Sequence, residues 1–479
     1  MSSRNRDALN KTILILLTAF TAYLLYLNFF YSAYNNALIY ALFVIPVVLI
    51  VYLVSYKLDI APLAFFTLIF LLALVAKGLI VITSDTLPIS DFGIFYKSAV
   101  KLTNGDKSFG HGFYFKSFSY QTGPVIYYAM IMKLFGTGLL PLKLVNCFFM
   151  AGSNSLIYLI ARKISNDYTA RFVSLLYLLY PAPFFLTPVL TNQHFAACMF
   201  MLSIYLLLET RINFAIRSLA AGIFLSLGNA VRPLGVVILG GVIIWAVAQS
   251  IREKKLVRIG ASVAMITAYL LMSFTFSTLV KKADINPEGL SNNYPLWKFV
   301  VGFNYETKGT FSYTDQNEIF YIKDFKQRNE VSKKVIKQRI SMSPTKMLNL
   351  IHIKQKIMWS YFDTMKWGFY DKEYNHLVAS GSLKKYELHI LKIEKMYYIL
   401  AFILMFTGLC LSVSRKKIGT GIVLIASILG CYFAAHALIE IQVRYRYFAI
   451  MLVFVLAAKG SELLMTGFYE YRKKYRLSA

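Results

Sequence analysis

An all-α polytopic membrane protein of about twelve transmembrane helices is the fold class this sequence predicts. Three observations predict it. Hydrophobic residues make up 57% of the 479-residue chain, and the mean hydropathy is +0.56. Apolar runs of roughly 18–22 residues recur, each bounded by charges or turn residues, where a soluble multidomain chain would show shorter amphipathic stretches. Basic residues gather in the short connections on one side, the asymmetry that orients membrane helices.

Taken in order, the start "MSSRNRDALNKTILILLTAFTAYLLYLNFF" has a basic head but an apolar stretch too long for a signal peptide and no small-x-small site, so it is expected to remain as the first span. Spans near 12–30, 37–55 and 61–82 form the unit 1–82. An outward-facing first loop, 83–138, follows; its apolar piece "GPVIYYAMIMKLFG" at 123–136 is too short to cross and reads as an interfacial helix. The transmembrane core, 139–279, carries spans near 139–161, 170–190, 194–208, 218–231, 234–250 and 259–279. Amphipathic patterns at 316–341 and 344–361 make 280–395 a small α-rich extracytoplasmic domain. Spans near 396–414, 419–438 and 445–466 and a basic tail complete the chain as 396–479.

Lys and Arg total 51 against 23 Asp and Glu, a formal charge of +28. In a soluble chain that excess would suggest nucleic acid. Here the bases map to the ends that a cytoplasmic N-terminus places inside: Arg4, Arg6, Lys11, Lys57, Arg162, Lys163, Arg171, Arg211, Arg217, Arg252, Lys254, Lys255, Arg258, Arg415, Lys416, Lys417 and the run from Arg472 to Arg476. The turns at 31–36 and 190–193 carry none. Both termini are therefore expected in the cytoplasm, with no nucleic-acid partner. Cys147, Cys198, Cys410 and Cys431 all lie inside apolar runs without CxxC spacing and read as buried small apolar residues.

On this topology the short outward surfaces hold few acids: Asp85, Asp91, Asp106 and Glu440. An ionisable group at the membrane boundary is costly unless it lines a polar cavity, which makes Asp91 in "TLPISDFGIFYKSAV" a functional candidate. The bland alternative is that it caps the helix that follows, a task Ser90 would serve as well. Arg232 in "NAVRPLGVV" interrupts an apolar region, and "EIQVRYRYFAIML" puts Arg444 and Arg446 at the outer mouth of the last span. One acid with several arginines at a membrane-level cavity suits group transfer from an anionic lipid. The acid serves as general base to an acceptor hydroxyl, and the guanidinium groups hold a phosphate.

The order "SDFGIFYKSA", "YQTGPVIYYAMIMKLFG", "AAGIFLSLGNAVRPLGVVIL" and "EIQVRYRYFAIMLVFVLAAKG" resembles the GT-C membrane glycosyltransferases, the group of the protein O-mannosyltransferases and the aminoarabinose transferase of lipid A. Within it, "LWKFVVGFNYETKGTFSYTDQ" (296–316) resembles the outer domain of the Gram-positive cell-surface branch, with Trp297, Gly302, Asn304, Gly309 and Asp315 in the familiar pattern. The resemblance covers roughly 60–465. It implies inverting transfer of a sugar from a polyprenyl-phosphate donor to a glycan, teichoic acid, lipid or protein acceptor outside a bacterial plasma membrane. It also implies Asp91 as the catalytic acid of the first loop, Arg232 at the cavity, and Arg444 with Tyr445 near the last span; contact of these arginines with the donor phosphate extends it.

Two departures bear on a metal. Relatives often carry a second acid where this chain has Gln193 and His194, and some have paired acids where Phe92 follows Asp91. No cofactor is expected, and a divalent metal is left open with its case weakened. Gln193, His194 and Glu440 remain as possible substrate contacts; for His194 the competing reading is a hydrogen-bonded histidine at a helix start. Lys354 and Lys356 read as a solvated amphipathic face. A lipid-linked glycan flippase or transporter would place its charges near the midplane of paired halves, whereas these polar signals sit at one face. An envelope glycan polymerase or ligase shares the loop and the arginines but depends less on Asp91.

Overall fold

The computed structural model describes residues 7–30, 37–84, 86–369, 386–415 and 418–476, with side chains to 464 in the last helix. Arg4, Arg6, the turn at 31–36, Asp85, Lys416, Lys417 and the side chains of the basic tail lie outside the described residues. Every regular element among those described is helical. Among the described residues ten helices are long and apolar enough to cross a membrane, and the chain is a multi-pass membrane protein.

These helices are α1 Ala8–Phe30, α2 Ala41–Lys57, α3 Pro62–Ile82, then, past α4 Ser90–Thr103 and α5 Thr122–Phe135, α6 Leu139–Ile164. After α7 Asp167–Leu179 and α8 Gln193–Leu208 come α9 Phe214–Val231, α10 Gly235–Glu253 and α11 Val257–Lys282. Past α12 Phe325–Ile340 and α13 Pro344–Ser360, the chain ends in α14 Glu387–Ser414, α15 Thr420–Leu438 and α16 Tyr447–Arg476. The candidate span containing α16, Val443–Leu464, has 83% of its apolar window buried against 17% for Leu38–Lys57. α16 is thus the centre of the bundle, and the helix containing α2 is rim, presenting Leu42, Phe43, Leu49 and Ile50 outward. Cys410 is likewise exposed, unlike the buried Cys147 and Cys198.

Two expected elements differ. The run 170–190 is not one helix: α7 stops at Leu179 and a short helix restarts at Pro181–Leu186. Pro181 drives the residue before it out of helical geometry, and Tyr180 is extended at φ −67°, ψ 121°. The helix expected at 396–414 begins at Glu387, because buried polar residues below, Glu394 and Lys395, lie within it rather than before it. α8, at 16 residues, is shorter than the ten.

The connections 83–138 and 283–369 pack on one another. Tyr294, Trp297, Val300, Val301, Ile319 and Phe320 form a separate small core, against which Phe113 and Phe118 from the first loop pack. Phe118 stacks on Phe320 with ring centroids 5.2 Å apart. The Arg328 guanidinium, fully buried, lies 4.1 Å from the Tyr294 ring centroid and donates to Ser117 Oγ at 2.9 Å. Asn286 Nδ2 donates to the Phe115 carbonyl and to Thr122 Oγ1. Asn304 and Arg339 both hydrogen-bond the Asp315 carboxylate, Arg339 through two nitrogens. Three of the residues singled out at 296–316 (Trp297, Asn304 and Asp315) thus build this segment's own fold.

Candidate functional site

Asp91 lies in the first turn of α4, where free backbone N–H groups favour a negative charge. No side chain caps that helix, so Asp91 does not act as the N-cap. α4 forms because Phe92, Phe95, Ser98 and Ala99 supply one buried face. Ser90, just before, has φ +51°, a left-handed conformation costing a non-glycine residue roughly 1–2 kcal/mol. The carboxylate accepts a hydrogen bond from Tyr114 Oη at 3.2 Å and faces Arg444 Nη2 at 3.8 Å. Its side chain is 38% exposed. Burial, then the adjacent Asp91 charge, raises the Tyr114 phenol well above its ordinary value, so it stays a donor.

Arg444 and Tyr445 sit on the 3-10 turn Val443–Arg446 that opens the last span. The Arg444 guanidinium lies among aromatic faces, 5.1 Å from the Phe92 centroid and 5.8 Å from those of Trp367 and Tyr445. Arg232 follows α9 in an extended conformation imposed by Pro233. Its guanidinium lies 5.3 Å from the Tyr445 centroid and donates to Asn192 Oδ1 at 3.1 Å. Asn192 in turn donates to the Val231 carbonyl, closing the end of α9. Burial lowers the Arg232 pKa from a starting value so high that the group remains charged.

Glu440 joins this group through a residue that the sequence did not single out. Lys298 Nζ lies 2.5 Å from Glu440 Oε2 and 3.5 Å from Tyr445 Oη. Backbone pairing sets the contact: Glu440 N–H donates to the Lys298 carbonyl at 2.8 Å, and Ile441 N–H to the Gly309 carbonyl at 2.9 Å. Gly302 permits that approach, since a Cβ there would lie 2.4 Å from the Leu438 carbonyl oxygen. Burial alone would lower the Lys298 pKa, but Glu440 foremost, with Tyr445 and Tyr120, turns the net direction upward. Burial likewise opposes ionisation of Glu440, and Lys298 foremost, with Gln442 and Arg444, turns the net direction downward. Tyr120, between these groups, is pushed up to about 12 by burial, only partly countered by Lys298.

The structure therefore gathers Asp91, Arg232, Arg444, Tyr445 and Glu440 and adds Lys298, Tyr114, Tyr120 and Asn192. Gln193 and His194 are engaged elsewhere. His194 is buried, with Nδ1 at 2.8 Å from Tyr447 Oη and Nε2 at 3.1 Å from the Leu186 carbonyl. Gln193 donates to Thr191 Oγ1. Arg446 does not stand beside Arg444 at the mouth: it is 1% exposed, with Nη2 at 3.1 Å from Asp363 and 4.0 Å from Glu394. The alternate residues of a tight turn face different surroundings, and only Arg444 faces the site. Among the described residues no group of three or more His, Cys, Asp or Glu is placed to hold a metal.

Lys354 also departs from expectation. It is fully buried, donating to the Gly302 carbonyl at 3.0 Å and the Ala437 carbonyl at 2.8 Å, and so ties α13 to α15. Burial lowers its pKa from 10.5 to about 7, with Glu440 opposing weakly. Between about pH 7 and 10.5 the unfolded chain binds a proton that the folded chain does not, so this group makes stability rise with pH across that window. Lys354→Met is expected to flatten that rise, read as melting temperatures in detergent at about pH 6.5 and about pH 9.5. An unchanged slope would assign the pH dependence elsewhere.

No family model and no curated protein matches the chain. In structure it is similar to ArnT from Cupriavidus metallidurans bound to undecaprenyl phosphate, at 13% identity and a TM-score of 0.40, over 84% of this chain and 78% of that one. It is also similar to the Archaeoglobus fulgidus oligosaccharyltransferase in its apo form, at 13% identity and a TM-score of 0.46 over 89% and 53% of the two chains. The third likeness is to the archaeal oligosaccharyltransferase AglB from Archaeoglobus fulgidus in complex with an inhibitory peptide and a dolichol-phosphate, at 11% identity and a TM-score of 0.44 over 87% and 52%. This chain spans about half the length of the two archaeal ones. These likenesses are of helical architecture, and the site is read from its own residues.

Proposed function

We propose that this protein is a membrane glycosyltransferase that moves a sugar from a polyprenyl-phosphate donor to an extracytoplasmic cell-envelope acceptor, with inversion at the anomeric carbon. The observation that carries this reading is the charge balance around Tyr445. Arg232, Arg444 and Lys298 face Asp91 and Glu440, and Lys298 is already neutralised by Glu440 at 2.5 Å. Arg444 is held from Asp91 at 3.8 Å, and Arg232 is in no ion pair among the described residues. One positive charge is left over, carried by guanidinium groups whose planar donors suit phosphate oxygens.

In the proposed step Asp91 takes the proton of the acceptor hydroxyl as that oxygen bonds to the anomeric carbon. The bond from that carbon to the phosphate oxygen breaks, and the polyprenyl phosphate leaves with the electron pair. Arg232 and Arg444 stabilise the charge that grows on it. A phosphate leaving as a stabilised anion needs no strong general acid, in keeping with a site that presents one partly exposed carboxylate. The asymmetry of basic residues supports a plasma-membrane protein with both termini cytoplasmic and the site facing outward. Teichoic acid, wall polysaccharide, lipid and protein are the acceptor classes in play.

Membranes containing the protein are expected to transfer radiolabelled sugar from polyprenyl-phosphate sugars to envelope acceptors. Arg232→Ala is expected to weaken donor binding roughly 10–100-fold, the worth of a hydrogen bond to a charged group. Transfer that proceeds from diphosphate-linked oligosaccharides alone would favour the polymerase or ligase, and movement of donor across vesicles without transfer would favour the flippase.

A further inference from the structure

We propose that Trp367 is a positioning residue for Arg444, and that the buried Asp363–Arg446 pair holds Trp367 in place; this rests on the reading of Arg444 as a donor-phosphate ligand. Among the described residues Arg444 Nε is buried without a hydrogen-bond partner, and the one ion partner of the guanidinium, Asp91, stands at 3.8 Å. The guanidinium direction is therefore set by the three rings around it. Phe92 adjoins Asp91 in the chain and Tyr445 adjoins Arg444, so both are fixed by the elements that carry the site. Trp367 alone comes from a separate segment, the turn Thr364–Phe369, and it meets Phe92 edge-on at 6.4 Å.

That turn is anchored at both ends. Asp363 Oδ1 accepts the Met365 N–H at 3.0 Å, while Oδ2 accepts from Arg446 Nη2 at 3.1 Å and Nε at 3.2 Å. Arg446 Nη1 donates to the Tyr361 carbonyl at 2.9 Å, so one guanidinium grips the approach to the turn from two sides. At the far end Gly368 lies so close to the backbone of Phe185 that a Cβ would fall 1.8 Å from its carbonyl oxygen. Arg444 and Arg446 share one 3-10 turn. The same backbone thus carries the arginine to be oriented and the arginine that secures the orienting ring. With the Trp367 wall missing, the Arg444 side chain regains rotamers that it must give up again when an anion binds.

The test is binding of undecaprenyl phosphate to the full-length protein in detergent. Trp367→Ala is expected to weaken binding roughly 3–10-fold and Trp367→Phe to stay near wild type, since either ring supplies a cation–π wall. Adding Trp367→Ala to Arg444→Ala is expected to weaken binding no further than Arg444→Ala alone, because the ring acts through the arginine. A merely structural tryptophan would give additive losses. Asp363→Asn is expected to match Trp367→Ala, and the Trp367 variants decide the proposal even where Asp363→Asn does not fold. Additive losses, or wild-type binding by Trp367→Ala, overturn the positioning role and leave the lipid-phosphate reading standing. Wild-type protein that does not bind the probe overturns both.

Discussion

Asp91→Asn is expected to lower sugar transfer by roughly 10²–10⁴-fold, the range that general-base catalysis supplies. The substitution is close to isosteric, and an amide oxygen still accepts the Tyr114 hydroxyl that bonds Asp91 Oδ1 at 3.2 Å. What disappears is the proton acceptor. Stability should barely move, because the pair with Arg444 is loose at 3.8 Å and partly exposed, the class of ion pair worth about 0–1 kcal/mol. Donor binding should hold or tighten, since removing the carboxylate leaves Arg444 without a competing anion. The predicted signature is therefore lost turnover with retained undecaprenyl phosphate binding and an unchanged melting temperature. An Asp91→Asn protein that transfers as fast as wild type would strip Asp91 of its catalytic role.

Arg446→Met is expected to show the reverse, a loss of about 3–5 kcal/mol in stability. Arg446 is buried between Asp363 and Glu394 and also serves the Met358 and Tyr361 carbonyls. Lys395 stands in the same buried layer, donating to Asn28 and to the Ser360 carbonyl, and Tyr180 donates to Glu394. Removing the guanidinium leaves Asp363 without its ion partner and two carbonyls without a donor, and an uncompensated buried charge costs more than the pair itself contributes. Combining Arg446→Met with Asp363→Leu should restore part of the loss by removing the stranded charge. Melting temperatures in detergent check both variants. An Arg446→Met protein as stable as wild type would mean that water reaches this layer.

The spans were legible because a membrane-crossing helix must be long and apolar, and ten of them are. The break at Pro181 was legible in principle too, since proline forces it; the apolar run on either side hid it. Within the site, Asp91, Arg232 and Arg444 stood out as charges interrupting apolar sequence. Lys298 did not, lying in a mixed-charge segment where one base looks like another, and its meaning comes from pairing with Glu440 across the fold. Arg446 looked equivalent to Arg444 in "QVRYR"; what distinguishes them is Asp363 on a distant turn. Lys354 reads as solvated because polar residues recur around it in the sequence of α13, and no pattern announces which lysine a neighbouring pair of carbonyls will claim.

The site draws its acid from α4, one guanidinium from the end of α9 and the other from the turn before α16. In order of synthesis Asp91 emerges early and Arg444 almost last. A nascent chain synthesised as far as α11 holds Asp91 and Arg232 but neither Arg444 nor the Glu440 that engages Lys298. If the proposed transfer is the activity, competence arrives in a single late event, when residues 440–446 take their place, and an unfinished chain is expected to be inert toward the donor however much of the bundle has already assembled.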